Sequence, residues 1–487
     1  MAPVHPFEPR ESIEARGYLA AQASPQREHN ASAAIQDRLT ASGRRLVVLD
    51  DDPTGTQSVH GVPVLTTWSD EELRWAFHQE VSTFFILTNS RSLPEKEAEA
   101  LNREIARRLL SVSAEVGTSF SIASRSDSTL RGHYPAEIDA LRETLEAAGE
   151  RIDGIIFCPC FLEAGRLTID DVHWVRYGDS LTPAGQTEFA SDANFGYSSS
   201  NLTAWIEEKT AGQISASDVL RIELRDIRVG GPERVAQLLS NVSDGQPVVV
   251  NAAEYADLEL FVMGLLTSED AGKSFLYRTG PSFIRARGGI EGKGSVGARE
   301  LYGRRPKQGN GLVLVGSHVE MTTRQLERAL SLEGLDAVEM LVRRLLDPGQ
   351  RKEELDRVVN LVNQGLPEYD VIVYTSREVV ETYGTRTGFE IGRSVSDALV
   401  EVMQRVDRKL PLSFVVAKGG ITSSDVGTRG LGVRRAVVAG TMLPGIIPVW
   451  VLPDDSAFPG LPYVIFPGNV GGPDTLTEVI EILRRGT

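Results

Sequence analysis

Five short runs of β-branched or aromatic residues punctuate the first half of the chain: Leu46-Val47-Val48-Leu49, Phe84-Phe85-Ile86-Leu87, Phe120-Ser121-Ile122, Ile155-Ile156-Phe157 and Val248-Val249-Val250. Near-continuous apolar runs of this length suit strands buried on both faces, as in a parallel sheet. Between them lie segments such as residues 95–110 and 135–148, whose apolar residues recur at helical spacing. A second set follows with Leu312-Val313-Leu314-Val315, Val371-Ile372-Val373-Tyr374, Phe414-Val415-Val416 and Val449-Trp450-Val451. The pattern predicts an α/β fold class, two α/β domains with mainly parallel sheets and a cleft between them.

At 487 residues the chain is longer than one hydrophobic core usually serves. Residues 1–43, polar and Ala-rich, read as an N-terminal helical extension, and 44–290 as a first domain. Residues 291–310, rich in Gly, Arg and Lys, read as a linker, and 311–487 as a second domain. A net charge of -16 argues against a nucleic-acid partner, which would be held by clustered Lys and Arg. No stretch of about 18 apolar residues predicts a membrane span. The two cysteines, Cys158 and Cys160, flank a single proline; they suit a reducing, cytoplasmic setting better than a disulfide or zinc site.

Three polar loops follow strand-like runs in the first domain. The first carries Asp50, Asp51 and Asp52, then a turn at Pro53, Thr54 and Gly55; adjacent carboxylates repel one another unless cations or hydroxyl donors offset them. Such a loop could hold magnesium or accept a proton from a substrate hydroxyl, or be an Asp-rich turn. The second holds Thr88, Asn89, Ser90 and Arg91. The third crowds Arg125, Asp127, Ser128, Thr129, Arg131 and His133 into one turn, donors enough for a carboxylate or phosphate unless they form a structural ion-pair cluster.

In the second domain, Gly316-Ser317-His318, the loop Lys418 to Ser424, and Gly468-Asn469 with Gly471 and Gly472 follow strand-like runs where small residues permit phosphate approach. Each alone is a weak signal. Gly292 to Gly297 matches GxGxxG but follows no buried run, and Ala271-Gly272-Lys273-Ser274 lacks the earlier glycine of a P-loop, since position 267 is Thr267. His60, His133, His173 and His318 are scattered without metal-ligand spacing, and Cys158 and Cys160 read as core.

Taken in order, DDPTG (Asp51 to Gly55), SRSDSTLRG (Ser124 to Gly132), GSH (Gly316 to His318), KGGITSS (Lys418 to Ser424) and PGN (Pro467 to Asn469) resemble the four-carbon acid sugar kinase family, formerly a domain of unknown function. The resemblance spans residue 44 to the C-terminus. It implies a sugar-acid-binding first domain, a nucleotide-binding second domain, and ATP with Mg2+ as cofactors. Carried over by motif, Ser317, Gly419, Gly420, Ile421, Thr422 and Gly468 would contact the nucleotide, and Asp51, Asp52, Arg91, Arg125, Asp127 and Arg131 the acid. The chain departs from the commoner family pattern at Pro53, Gln57, Ile421 and Phe466, which leaves the identity of the acid open.

The expected activity is an ATP-dependent phosphotransferase acting on a hydroxyl of a small sugar acid. Asp52 or Asp127 is the catalytic candidate; Asp51, Arg91, Arg125, Ser128 and Arg131 are the substrate-binding ones. No metal ligands are assigned, and a homodimer is left open. Two rivals remain at this point, a nucleotide-dependent oxidoreductase and a non-catalytic sugar-acid sensor.

Overall fold

The computed structural model describes residues 11–24, 30–52, 54–303, 307–377, 388–443, 445–468 and 470–485. Pro53 and Asn469 from the predicted loops, and 304–306 of the predicted linker, lie outside them. The chain divides into two compact units, Met1–Gly292 and Lys293–Thr487.

The first unit is built on parallel strands in the order Leu220–Ile222, Gln246–Val250, Gly154–Cys158, Phe275–Thr279, Phe120–Arg125, Arg45–Asp50, Thr83–Leu87 and Val62–Leu65. Val47, Val48, Ile86, Ala123 and Ile156 are at most 1 % exposed, which is why their runs show no alternation. The helix Glu95–Val116 covers this sheet through a stripe of Ala98, Ile105, Ala106, Leu109 and Val112. It ends where Gly117 turns left-handed at φ +68°, a conformation costly for any other residue. Burial of each such Leu or Ile contributes about 2–3 kcal/mol.

The N-terminal segment departs in part from a helical extension. Helices form at Ala15–Ala20 and Ala31–Ser42, but Ile13–Glu14 is a strand. It pairs antiparallel with Ser180–Pro183 at the edge of a small sheet that continues through Val172–Tyr177 and Arg166–Ile169. Ala15, Leu167, Ile169, Trp174 and Leu181 form its own small core. Helix Ala31–Ser42 is anchored by Ile35 and Leu39, both buried, and by Arg38, whose Nη2 lies 2.5 Å from Asp270.

The second unit orders its strands Leu335–Met340, Asp370–Thr375, Asn310–Val315, Leu412–Lys418, Pro462–Phe466, Pro448–Val451 and Arg435–Thr441. The first five run parallel, and Pro448–Val451 is antiparallel to both of its neighbours, Pro462–Phe466 and Arg435–Thr441. Within the glycine-rich stretch, Ala298–Tyr302 is helical, and Val296 and Leu301 are buried in this unit's core. Among the described residues no helix is long and apolar enough to cross a membrane.

Candidate active site

In the first unit Arg45–Asp50 lies between Thr83–Leu87 and Phe120–Arg125, all parallel, so the three polar loops leave neighbouring carboxyl ends of strands. Register places Asp50 opposite both Leu87 and Arg125. Arg91 joins the loops: Nη2 lies 3.2 Å from Asp51 and 2.6 Å from Asp52, and Nη1 3.3 Å from Asp127. Arg125 Nη1 donates to Asp50 at 3.0 Å, and Arg131 Nε donates to Asp127 at 2.7 Å.

This geometry separates residues that the sequence offers as equals. Side-chain exposure falls from 30 % at Asp52 to 14 % at Asp127, 3 % at Asp51 and 1 % at Asp50. Burial pushes Asp50 up to about 6 and Asp51 up to about 7, against the pull of Arg125 and Arg91. Burial pushes Asp52 the same way, but the charges of Arg91 and Arg125 and hydrogen bonds from Thr54 outweigh it and hold Asp52 below its usual value. Asp127 is held well below the carboxylate range: burial is outweighed by Arg91, Arg131 and a hydrogen bond from the Thr129 hydroxyl. Arg125 is 6 % exposed and paired inward, so it braces Asp50 rather than presenting a free cation.

Ser128 is also buried, and its carbonyl is held by His173 Nε2 at 2.7 Å. His173 itself comes from the small antiparallel sheet, and its Nδ1 meets the Thr168 hydroxyl at 3.0 Å. His133 contacts the Leu93 carbonyl and His60 that of Glu291, so these histidines act as hydrogen-bonding struts. Cys158 and Cys160 are free and buried.

In the second unit the loops after Asn310–Val315, Leu412–Lys418 and Pro462–Phe466 leave three adjacent strand ends. Gly419 adopts φ +123° before the short helix Gly420–Asp425. A Cβ on Gly468 would stand 2.8 Å from Ser317 Oγ, and one on Gly316 2.4 Å from Thr422 Oγ1, so side chains are excluded where these loops meet. Thr322 Oγ1 donates to the Gly468 carbonyl at 2.6 Å and lies 3.1 Å from Ser317 Oγ. Gly420 faces open space, and Ile421 is 57 % exposed, a large apolar side chain left uncovered beside a backbone cradle. Lys418 lies beneath, its Nζ 3.1 Å from the Pro467 carbonyl and 3.8 Å from the Phe466 ring centre; burial pushes its pKa down to about 7.

One residue of evident consequence escapes the sequence reading, Arg278. Arg278 sits on Phe275–Thr279 beside Ser124 in register and is 6 % exposed. The only sequence signal was a basic residue inside an otherwise strand-like FLYRT run. The two decoys resolve plainly: Gly292 to Gly297 follows no strand, and Lys273, in the turn leading into Phe275–Thr279, donates to the Val242 carbonyl at 2.7 Å. Among the described residues no three His, Cys, Asp or Glu side chains are grouped to hold a metal ion.

A family profile described as a sugar-binding N-terminal domain matches residues 46–287, and one described as a nucleotide-binding C-terminal domain matches 312–476. A D-erythronate kinase from Heliobacterium modesticaldum is 26% identical over 336 residues, covering 66% of this chain and 69% of that protein. Two solved structures share the fold. A Haemophilus influenzae protein of the family DUF1537 has a TM-score of 0.64 at 18% identity, over 90% of this chain and 100% of its own. A Salmonella typhimurium protein described as a putative tRNA synthase has a TM-score of 0.66 at 17% identity, over 89% and 98%. With sugar-binding and nucleotide-binding domains matched in tandem around two sets of strand-end loops, the chain belongs to the four-carbon acid sugar kinase family.

Proposed function

We propose that this kinase transfers the terminal phosphoryl group of ATP to a hydroxyl of a four-carbon sugar acid of the erythronate type. The observation that carries the proposal is Arg91, one guanidinium that ties Asp51, Asp52 and Asp127 from two loops into a single charged floor. The kinship to a D-erythronate kinase supports the substrate class.

Asp52, the most exposed of the four carboxylates, accepts the hydrogen bond of the attacking hydroxyl. Its lowered pKa makes it a weak base, which is sufficient where the transition state is loose and positioning carries most of the rate. Asp127 and Arg131 hold the polyol, and Ser128 borders it. In the second unit, Ser317, Gly419, Gly420, Thr422 and Gly468 offer amides and a hydroxyl to phosphate oxygens, while Ile421 offers an apolar face to the base. ATP supplies the phosphoryl group and a good leaving group. Magnesium would enter with the nucleotide phosphates, and no step rests on a protein-held metal. The same reading places the enzyme in the cytoplasm, where ATP is found.

A coupled ADP-release assay with D-erythronate, D-threonate, an oxo-tetronate and the neutral polyol erythritol tests this. Turnover with the acids and not with erythritol is the expected result. No turnover with any of them, together with no ATP binding by calorimetry, would remove the kinase reading.

A further inference from the structure

Arg278 is buried, yet no hydrogen bond or ion pair joins it to any described residue, and its Nη1 has no partner. An arginine stays charged in a protein, and a buried guanidinium that makes no hydrogen bond is costly even where, as here, the nearby carboxyl groups of Glu137 and Asp51 favour its charge. Such a group persists where a ligand completes it. Three further buried polar atoms without partners, Ser126 Oγ, Thr279 Oγ1 and Trp205 Nε1, belong to side chains that line the same cavity as Arg278, of about 20 Å³. All four groups can donate hydrogen bonds. Asp127 also lines the cavity, but its charge is already met by Arg91 and Arg131.

We infer that Arg278, with Ser126 and Thr279, is the seat of the substrate's carboxylate group. This rests on the proposed sugar-acid substrate and names the residue that distinguishes an acid from a neutral sugar. The three arginines of the strand-end loops are committed elsewhere: Arg125 to Asp50, Arg91 to three aspartates, and Arg131 to Asp127. Gly132 keeps the approach open. Built onto its backbone, a Cβ would stand 3.0 Å from Arg278 Nη2 and 3.2 Å from Asp51 Oδ2. Asp51 Oδ2 is likewise buried without a partner. An unsatisfied acceptor beside an unsatisfied cation is the complement of a hydroxy acid, whose hydroxyl donates to Asp51 while its carboxylate accepts from Arg278. A neutral polyol satisfies only the first.

The test compares Arg278→Met with the wild type on D-erythronate and on erythronamide, in which a neutral amide replaces the carboxylate. Loss of a charge-assisted contact predicts that kcat/KM for the acid falls about 100-fold, while that for the amide changes less than about threefold. Arg278→Lys, which keeps the charge but not the fork, recovers part of the acid preference. Equal losses on acid and amide, or no loss on either, overturn the inference and leave the kinase reading standing. Absence of turnover by the wild type on every acid overturns both. Should Arg278→Met fail to fold, as judged by its thermal melt, a crystal structure of the wild-type chain with D-erythronate decides. A carboxylate oxygen within hydrogen-bond distance of Arg278 Nη1 supports the inference, and an ordered water there with the carboxylate elsewhere overturns it.

Discussion

Arg125 donates to Asp50 across 3.0 Å with side chains 6 % and 1 % exposed, one of the most deeply buried ion pairs described in the first unit. Removing one member of such a pair leaves the other charge uncompensated, at a cost of about 3–5 kcal/mol. Arg125→Met is therefore expected to lower unfolding free energy by about that amount at pH 8. The loss shrinks at pH 5, because Asp50, already pushed up to about 6, can then take a proton. Urea unfolding at the two pH values measures it; equal losses at both would show that Asp50 is not the group left exposed to the charge.

The acidic limb of the rate profile identifies the carboxylate that meets the hydroxyl. With Asp52 in that role, kcat stays level from pH 8 down to about 5, since Asp52 is held below its usual value, while KM for the acid rises below about 7 as Asp51 gains a proton. A limb in kcat centred near 7 would transfer the role to Asp51, the one carboxylate there with a pKa of about 7. Asp52→Asn is expected to lower kcat by about 100-fold or more, in line with general-base losses. Asp127→Asn would raise KM for the acid more than it lowers kcat, because its oxygens hold Arg91, Arg131 and Thr129.

Much of this fold is legible in the sequence because the strands are buried on both faces and announce themselves as unbroken apolar runs. The three loops of the first unit were also legible, since clustered Asp and Arg at strand ends have few other uses. What the residue string could not tell is which charge faces which. Arg125 and Arg131 look alike in SRSDSTLRG, yet one lies at the end of a central strand facing Asp50 and the other beyond the turn beside Asp127. Arg278 was hidden for the complementary reason: a lone basic residue in FLYRT reads as the exposed face of an edge strand, whereas Phe275–Thr279 is flanked by strands on both sides. The strand at Ile13–Glu14 is two residues long, too short for any periodicity to reveal.

His173 links the small antiparallel sheet to the loop of Asp127 and Ser128, and burial pushes its pKa down to about 4. Its folded value lies below the unfolded value of about 6.5, so between pH 6.5 and 4 the unfolded chain binds the proton first. The stability His173 confers is present above pH 6.5 and lost as pH falls towards 4, by at most about 3 kcal/mol. Asp50 and Asp51, raised on folding, act with the opposite sign and favour the fold towards lower pH within 4 to 7. Comparing the wild type with His173→Gln isolates the histidine, because Gln keeps a donor for the Ser128 carbonyl without titrating. The expected result is a flatter loss of stability on acidification in the variant; identical pH slopes would mean His173 is not buried in its neutral form.

Lys418 gives the nucleotide loops a titration of their own. With its pKa pushed down to about 7 by burial, Lys418 is largely neutral at pH 8, its Nζ donating to the carbonyls of Pro467 and Gly468. Phosphates arriving at Gly419 and Gly468 would favour the ammonium form and raise that pKa, so nucleotide binding at pH 8 takes up a proton. Calorimetry with ATP in buffers of differing ionisation enthalpy should show an uptake approaching one proton at pH 8 and little at pH 6, where Lys418 is already charged. Lys418→Met abolishes the buffer dependence and weakens ATP binding by about tenfold or more. Gly468→Ala weakens ATP binding too, since the added Cβ meets Ser317 Oγ at 2.8 Å, but it leaves the proton uptake in place. An uptake that survives Lys418→Met would assign it to another group, such as His318, whose pKa is lowered by burial and by Arg377.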